Sequence, residues 1–209
     1  MRIVGGRFGG RTLKAPSSQA IRPTADRLRE TLFNILAHGY GDPVTGARVL
    51  DLFAGTGALG LEALSRGAVV DEQRKRRAEA RALLRANVEA LGAGGASKIY
   101  RRDATRLGSP APLDPFTLAF LDPPYLHGLA ERALLSAKTG GWLVPQALAV
   151  VEEAADAPFV APDDFTELER RTTGDTMLIF LRLDEDPRLG AEVVRRGPDQ
   201  PPDKETAGV

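Results

Sequence analysis

With 209 residues, the chain has room for one α/β domain with a sizeable core plus an appendage, and is too short for two large domains. Its 43% hydrophobic and 27% charged residues are those of an ordinary globular protein, and the lack of cysteine excludes disulfides and cysteine-ligated zinc. Formal net charge is zero, so only the distribution of charge bears on a nucleic-acid partner. Residues 1–31 carry Arg2, Arg7, Arg11, Lys14, Arg22, Arg27 and Arg29 against Asp26 and Glu30, a basic arm able to track a phosphate backbone. No apolar run approaches the roughly 18 residues that span a bilayer, and no apolar stretch follows Arg2 as in a signal peptide. A soluble, cytoplasmic, monomeric protein with no membrane or metal partner is expected.

Ile3-Val4 and Thr12-Leu13 read as two short strands around the glycine pairs Gly5-Gly6 and Gly9-Gly10, a hairpin ended by Pro16. A helix is predicted from an N-cap at Thr24 to about Ala37, with Leu28, Leu32, Ile35 and Leu36 on one face. Strands are predicted at Arg48–Phe53, Ala68–Val70, Lys98–Arg101, Leu118–Leu121 and Ala147–Glu152, and helices at Gly57–Arg66, Gln73–Leu91 and Gly128–Ala137. This alternation is that of a parallel sheet covered on both faces. Phe165–Thr172 and Thr176–Leu183 then form a hairpin that ends the sheet antiparallel. The expected division is an N-terminal basic extension at 1–40, a Rossmann-like α/β domain at 41–183 and a polar, acidic tail at 184–209.

Val49-Leu50-Asp51-Leu52-Phe53-Ala54-Gly55-Thr56-Gly57-Ala58-Leu59-Gly60 is a strand, a glycine turn and a helix start. Gly55, Gly57 and Gly60 satisfy the dinucleotide fingerprint, but Asp51 near the strand's end opposes a pyrophosphate. S-adenosylmethionine is cationic and carries no phosphate, and suits a carboxylate beside closely approaching backbone. Asp51, Phe53, Gly55, Thr56 and Gly57 are therefore assigned to that cofactor. Asp71, with Glu72 in reserve, follows the second strand and is placed on the ribose. Asp103, with Ala104 beside it, follows the third and is placed on the adenine amine.

The fourth strand runs into Asp122-Pro123-Pro124-Tyr125. The diproline fixes a stiff turn, holding the Asp122 carboxylate and a backbone carbonyl as two acceptors for an exocyclic amine. As the amine attacks a methyl group it gains positive charge, which Asp122 stabilises most in the transition state. Tyr125 offers a flat face to the base. His38 and His127 read as surface residues, and Trp142 as packing before the fifth strand.

These residues resemble the bacterial methyltransferases that modify a guanine N2 in small-subunit (16S) ribosomal RNA, of the RsmD type. Arg2-Ile3-Val4-Gly5-Gly6, Arg22-Pro23-Thr24, Arg27-x-Arg29-Glu30-x-Leu32-Phe33-Asn34, Leu50–Ala68 and the Asp-Pro-Pro-Tyr loop carry the resemblance. It implies a Rossmann-like, S-adenosylmethionine-dependent methyltransferase fold: a mostly parallel seven-stranded sheet with reversed last strand, preceded by a small β-hairpin and helix. It also implies that Arg2, Arg7, Arg11, Arg22 and Arg27 contact rRNA, free or in an assembling small subunit, with the guanine unpaired or flipped. The segment between Ala68 and Asp71 is shorter than is usual in that family. An adenine or cytosine amino-methyltransferase on DNA or other RNA shares the central motifs but not the N-terminal ones. A non-catalytic RNA-binding assembly factor of the same fold needs no cofactor.

Overall fold

The computed structural model describes residues 1–15, 26–73 and 78–185, with backbone alone at 71–73 and 78–79. Seven strands alternate with helices: α1 Asp26–Gly39, β1 Arg48–Asp51, α2 Ala58–Ser65, β2 Val69–Gln73, α3 Ala78–Leu91, β3 Ser97–Tyr100, β4 Phe116–Leu121, α4 Leu129–Gly140, β5 Leu143–Ala154, β6 Phe165–Thr173 and β7 Thr176–Leu183. The strands lie in the order β3-β2-β1-β4-β5-β7-β6. The first five are parallel, and β7 runs antiparallel between β5 and β6.

Alternation along the strands splits the core into two layers. Val49, Leu118, Phe120, Val150 and Phe180 face α1, α2 and α3 and their residues Leu32, Leu36, Leu61 and Leu84. Leu50, Ala119, Leu121, Val151 and Ile179 face Ala130, Ala133, Leu134 and Ala137 of α4, with Trp142. Trp142 is fully buried, stacks on Phe116 at 6.0 Å and donates to the Gly108 carbonyl at 2.6 Å. β6 is an edge strand with most of its side chains exposed, and its pairing with β7 shifts register between Glu167 and Glu169.

Several predicted elements differ: β5 extends beyond the expected Ala147–Glu152 at both ends, and Gln73, the expected start of a helix, ends β2, with α3 described from Ala78. The N-terminal hairpin is a single bridge, Arg2 to Thr12, closed over a 3-10 turn at Gly6–Phe8. Its backbone bonds run from the Ile3 amide to Arg11, from the Gly10 amide to Ile3 and from the Leu13 amide to Met1. Ile3 and Leu13 sink into the first core layer, so tertiary packing replaces strand pairing. β2, expected to end at Val70, continues to Gln73, because β1 and β3 supply backbone partners on both sides whatever the side chains. Thr24, the predicted cap of α1, lies outside the described residues, as do 186–209 of the expected tail.

Candidate active site

The strand order reverses at β1. β2 and β3 continue to one side of it, and β4 begins the other. In open α/β sheets a crevice opens at such a point, outside the carboxyl ends of the strands. β1 and β4 are parallel neighbours, with Asp51 opposite Phe120, and the Leu52 amide donates to the Phe120 carbonyl at 3.0 Å. The turn after Asp51 and the Asp122–Tyr125 loop therefore leave the same edge of the sheet side by side. Two segments 70 residues apart in sequence meet because the topology forces them to.

Within the glycine turn, Gly57 has φ +84° and leads directly into α2, and a Cβ there would lie 2.3 Å from Leu84 Cδ1. A side chain at position 57 is thus opposed by both conformation and packing. No side chain caps α2 from the Gly57 position. Asp51, 1% exposed, reaches across instead, and its Oδ2 accepts from the Gly60 amide at 3.1 Å. A carboxylate at a helix N-terminus is favoured by the helix dipole. It also occupies a donor that a pyrophosphate would use, which favours a ligand without phosphates. Phe53 is half-buried. Thr56 is buried, its hydroxyl 3.6 Å from Met1 Sδ.

Asp71 and Glu72 stand within β2, opposite Leu50 and Asp51, and not after the strand as expected; their side chains lie outside the described part of the structure. Asp103 follows β3 and is half-buried beside buried Ala104. Its Oδ1 accepts from the Thr105 amide at 3.1 Å and the Thr105 hydroxyl at 2.9 Å, turning the chain at the sheet's carboxyl edge. Among the described residues no group of three histidine, aspartate or glutamate side chains is placed to hold a metal ion.

Asp122 is half-buried, Pro123 buried, Pro124 exposed and Tyr125 half-buried. The Tyr125 hydroxyl donates to Glu152 Oε1 at 2.8 Å. Burial first, then the Glu152 carboxylate, push the phenol above its ordinary range, so Tyr125 stays a protonated donor. The Leu126 amide, in a left-handed residue at φ +62°, donates to Glu153 Oε1 at 2.6 Å. Glu152 and Glu153, each 6% exposed at the end of β5, thus anchor the loop from below. Sequence reasoning treated them only as a strand end. Their signal was two acids closing the apolar run Leu148–Val151.

Burial raises the Glu153 carboxyl above the ordinary glutamate range, against the Leu126 and Ala154 amides that favour its ionised form. A raised folded value means that this stability is fully present below the unfolded value and is lost as pH rises through the folded one. Glu153→Gln keeps an acceptor for Leu126 and removes the titration. Its melting temperature is expected to gain on wild type as pH rises from about 4 toward neutrality. A constant offset in thermal melts across that range would show that Glu153 does not titrate there.

The basic arm is divided in its uses. Arg7 is exposed and lies over the Phe8 ring at 4.5 Å. Arg27 is exposed, whereas Arg2 pairs with Asp26 at 3.8 Å. Arg11 is exposed too, but its guanidinium donates to the carbonyls of Ala90 and Leu91, where it caps the C-terminus of α3. Arg22 lies outside the described residues.

Four polar residues to which the sequence assigned no anchoring role fasten this arm. Fully buried Glu62 accepts from the Val4 amide at 2.8 Å and the Gly5 amide at 2.9 Å, and pairs with Arg66 at 2.9 Å. Ser65 Oγ accepts from the Phe8 amide and donates to the Gly5 carbonyl. Fully buried Arg29 donates to the Arg2 carbonyl and to Asp26. Asn87 bonds to Lys14 and to the glycine turn.

The family described as Conserved hypothetical protein 95 matches residues 1–182. Ribosomal RNA small subunit methyltransferase D of Escherichia coli (strain K12) is 41% identical over 159 residues, covering 75% of this chain and 76% of the relative. The Haemophilus influenzae protein of the same name is 36% identical over 176 residues, covering 83% and 89%. The solved structure of yhhF from Escherichia coli is 34% identical with a TM-score of 0.73, covering 88% of this chain and 98% of that one. With motifs, strand order and relatives in agreement, the chain belongs to the RsmD family of small-subunit rRNA methyltransferases and has their Rossmann-like, S-adenosylmethionine-dependent methyltransferase fold.

Proposed function

We propose that this protein methylates the exocyclic N2 amine of a guanine in small-subunit (16S) rRNA, using S-adenosylmethionine. The observation that carries the reading is the juxtaposition of the glycine turn and the Asp122–Tyr125 loop on adjacent strands where the sheet order reverses. The donor set fits the cofactor: Asp51 covers the Gly60 amide of α2, and Asp103 stands at the same edge of the sheet. These groups favour a cationic nucleoside over a polyphosphate.

S-adenosylmethionine, when bound, supplies an electrophilic methyl group. The backbone of Gly55–Gly57 and the carboxylates of Asp51 and Asp103 hold and orient the ligand, with Asp71 assigned to the ribose. Pro123 and Pro124 fix the loop so that Asp122 accepts a hydrogen bond from the guanine amine. In the transfer the guanine nitrogen would take the methyl carbon as that carbon separates from the cofactor's sulfur, leaving S-adenosylhomocysteine, and Asp122 would stabilise the positive charge on nitrogen until the proton passes to solvent. Tyr125 presents its ring to the base while Glu152 restrains its hydroxyl.

In this reading residues 1–40 serve as the rRNA-contacting extension and 41–183 carry the transfer. Arg7 and Arg27 contact phosphates, whereas Arg11 serves the fold. Arg7→Ala is expected to weaken rRNA binding and to lower the slope of log K against log salt by about 0.7–1, with the melting temperature unchanged. Arg11→Ala is expected to lower the melting temperature. Binding isotherms over a salt series, beside thermal melts, check both, and an unchanged slope for Arg7→Ala removes it from the interface.

The function itself is tested by methyl transfer from labelled S-adenosylmethionine to small-subunit particles lacking the modification, followed by nucleoside analysis. Label in N2-methylguanosine is the expected result. Label in methylated adenosine or cytidine would keep the reaction class and overturn the guanine assignment. Neither transfer nor cofactor binding would favour an assembly factor of the same fold, whereas cofactor binding without transfer would point to a missing substrate state.

A further inference from the structure

Asn87 lies on α3, fully buried, and its side-chain amide makes three hydrogen bonds to two distant segments. Oδ1 accepts from the Lys14 amide at 2.7 Å, and Nδ2 donates to the Lys14 carbonyl at 3.2 Å. The same nitrogen donates to the Thr56 carbonyl, inside the glycine turn, at 3.0 Å. Only this orientation of the amide satisfies all three partners, since the flipped one sets an oxygen against two carbonyls. One buried group therefore holds both the end of the N-terminal arm and the centre of the turn assigned to the cofactor.

The surroundings make this a joint and not an isolated contact. Thr56 also meets the start of the arm, through Met1 Sδ, and the Leu13 amide donates to the Met1 carbonyl, so the arm touches the turn at Met1 and reaches it through Asn87 at Lys14. Glu62 and Ser65, on the helix that begins at the turn, hold Val4, Gly5 and Phe8. Glycines on both sides of Thr56, with φ +54° at Gly55 and +84° at Gly57, make this turn costly to order from its own sequence. A clamp outside the turn supplies the missing restraint.

We propose that Asn87 is a positioning residue that couples the N-terminal arm to the cofactor turn, so that cofactor binding and rRNA binding strengthen each other. The inference rests on the proposed function, which places cofactor at the turn and rRNA on the arm. A ligand that orders the turn fixes the Thr56 carbonyl on Asn87, and through the same amide fixes Lys14. By linkage, rRNA held by the arm tightens the cofactor by the same factor.

Amide hydrogen exchange on the wild-type protein, with and without S-adenosylhomocysteine, tests this without any variant. Slower exchange is expected both in residues 52–60 and at the Lys14 amide. Protection of 52–60 with Lys14 unchanged would overturn the coupling. Protection of neither would remove the cofactor from this turn, and the coupling with it.

The second arm uses Asn87→Asp, which turns an oxygen toward the Thr56 and Lys14 carbonyls. Its affinity for S-adenosylhomocysteine is expected to fall about tenfold, within the range of coupling between sites. The gain in rRNA affinity that the ligand gives wild type should vanish. A folded Asn87→Asp protein with that gain intact would overturn the proposal, and if the variant does not fold, the exchange experiment decides.

Discussion

Asp122→Asn is expected to lower kcat by about 10²–10³-fold, the range seen when one transition-state electrostatic contact is removed, with S-adenosylhomocysteine affinity near that of wild type. The substitution keeps the shape of the side chain and the turn fixed by Pro123 and Pro124, and removes only the negative charge. An uncharged exocyclic amine can still donate to the amide oxygen, in a weaker bond than the carboxylate makes, so KM for rRNA is expected to rise only modestly beside the fall in kcat. The charge matters when the nitrogen becomes cationic, which places the loss in kcat. Asp122 is half-buried next to Tyr125, whose phenol its charge helps to keep protonated, so bulk water only partly screens it. Single-turnover methyl transfer beside calorimetric cofactor binding separates the two effects. A rate within about threefold of wild type would remove the carboxylate from the transition state.

Gly6→Ala is expected to destabilise the protein by about 3 kcal/mol, from left-handed strain of ~1–2 and overpacking of ~1–3. For a chain of this length that is a fall in melting temperature of roughly 6–12 °C. Gly6 has φ +70°, and a Cβ there would stand 2.1 Å from the Ser65 carbonyl oxygen, which is backbone of α2 and cannot swing aside. Its neighbour Gly5 is crowded as well, with a Cβ 2.4 Å from the Arg66 guanidinium, but that is the end of a flexible side chain. Gly5→Ala should therefore cost less than Gly6→Ala. Thermal melts of the two variants check the order, and equal losses would show that the Arg66–Glu62 pair is as rigid as the helix backbone.

The strands, the helices and the two central loops were legible because each rests on local chemistry: apolar runs, glycine at the turn and a diproline at the strand end. The reversed last strand was legible from Thr173-Gly174-Asp175 between two β-rich segments. What was not legible is the fastening of the N-terminal arm. Glu62, Ser65 and Asn87 find their partners 57 to 73 residues away, and nothing near them in sequence marks a buried acid or amide as an anchor. Arg11 reads as one more basic residue of the arm until α3 brings its C-terminus beneath it. Glu152 and Glu153 read as the polar end of a strand because their partners, Tyr125 and Leu126, arrive from the preceding crossover. Asp71 and Glu72 were expected beyond the second strand because acids are poor strand formers, and pairing on both sides overrides that preference.

The shift in pairing between Glu167 and Glu169 carries a consequence for the chain in a crowded solution. β6 leaves one flank of its backbone hydrogen-bonding groups without a strand of this sheet, the condition under which a second chain could add itself by pairing. The bulge inserts Leu168 out of register and bends the strand, while Glu167, Glu169, Arg170 and Arg171 line it with charge. An incoming strand meets an interrupted ladder and desolvates several ions to use it. The irregularity in β6 thus protects the sheet against polymerising through its own margin.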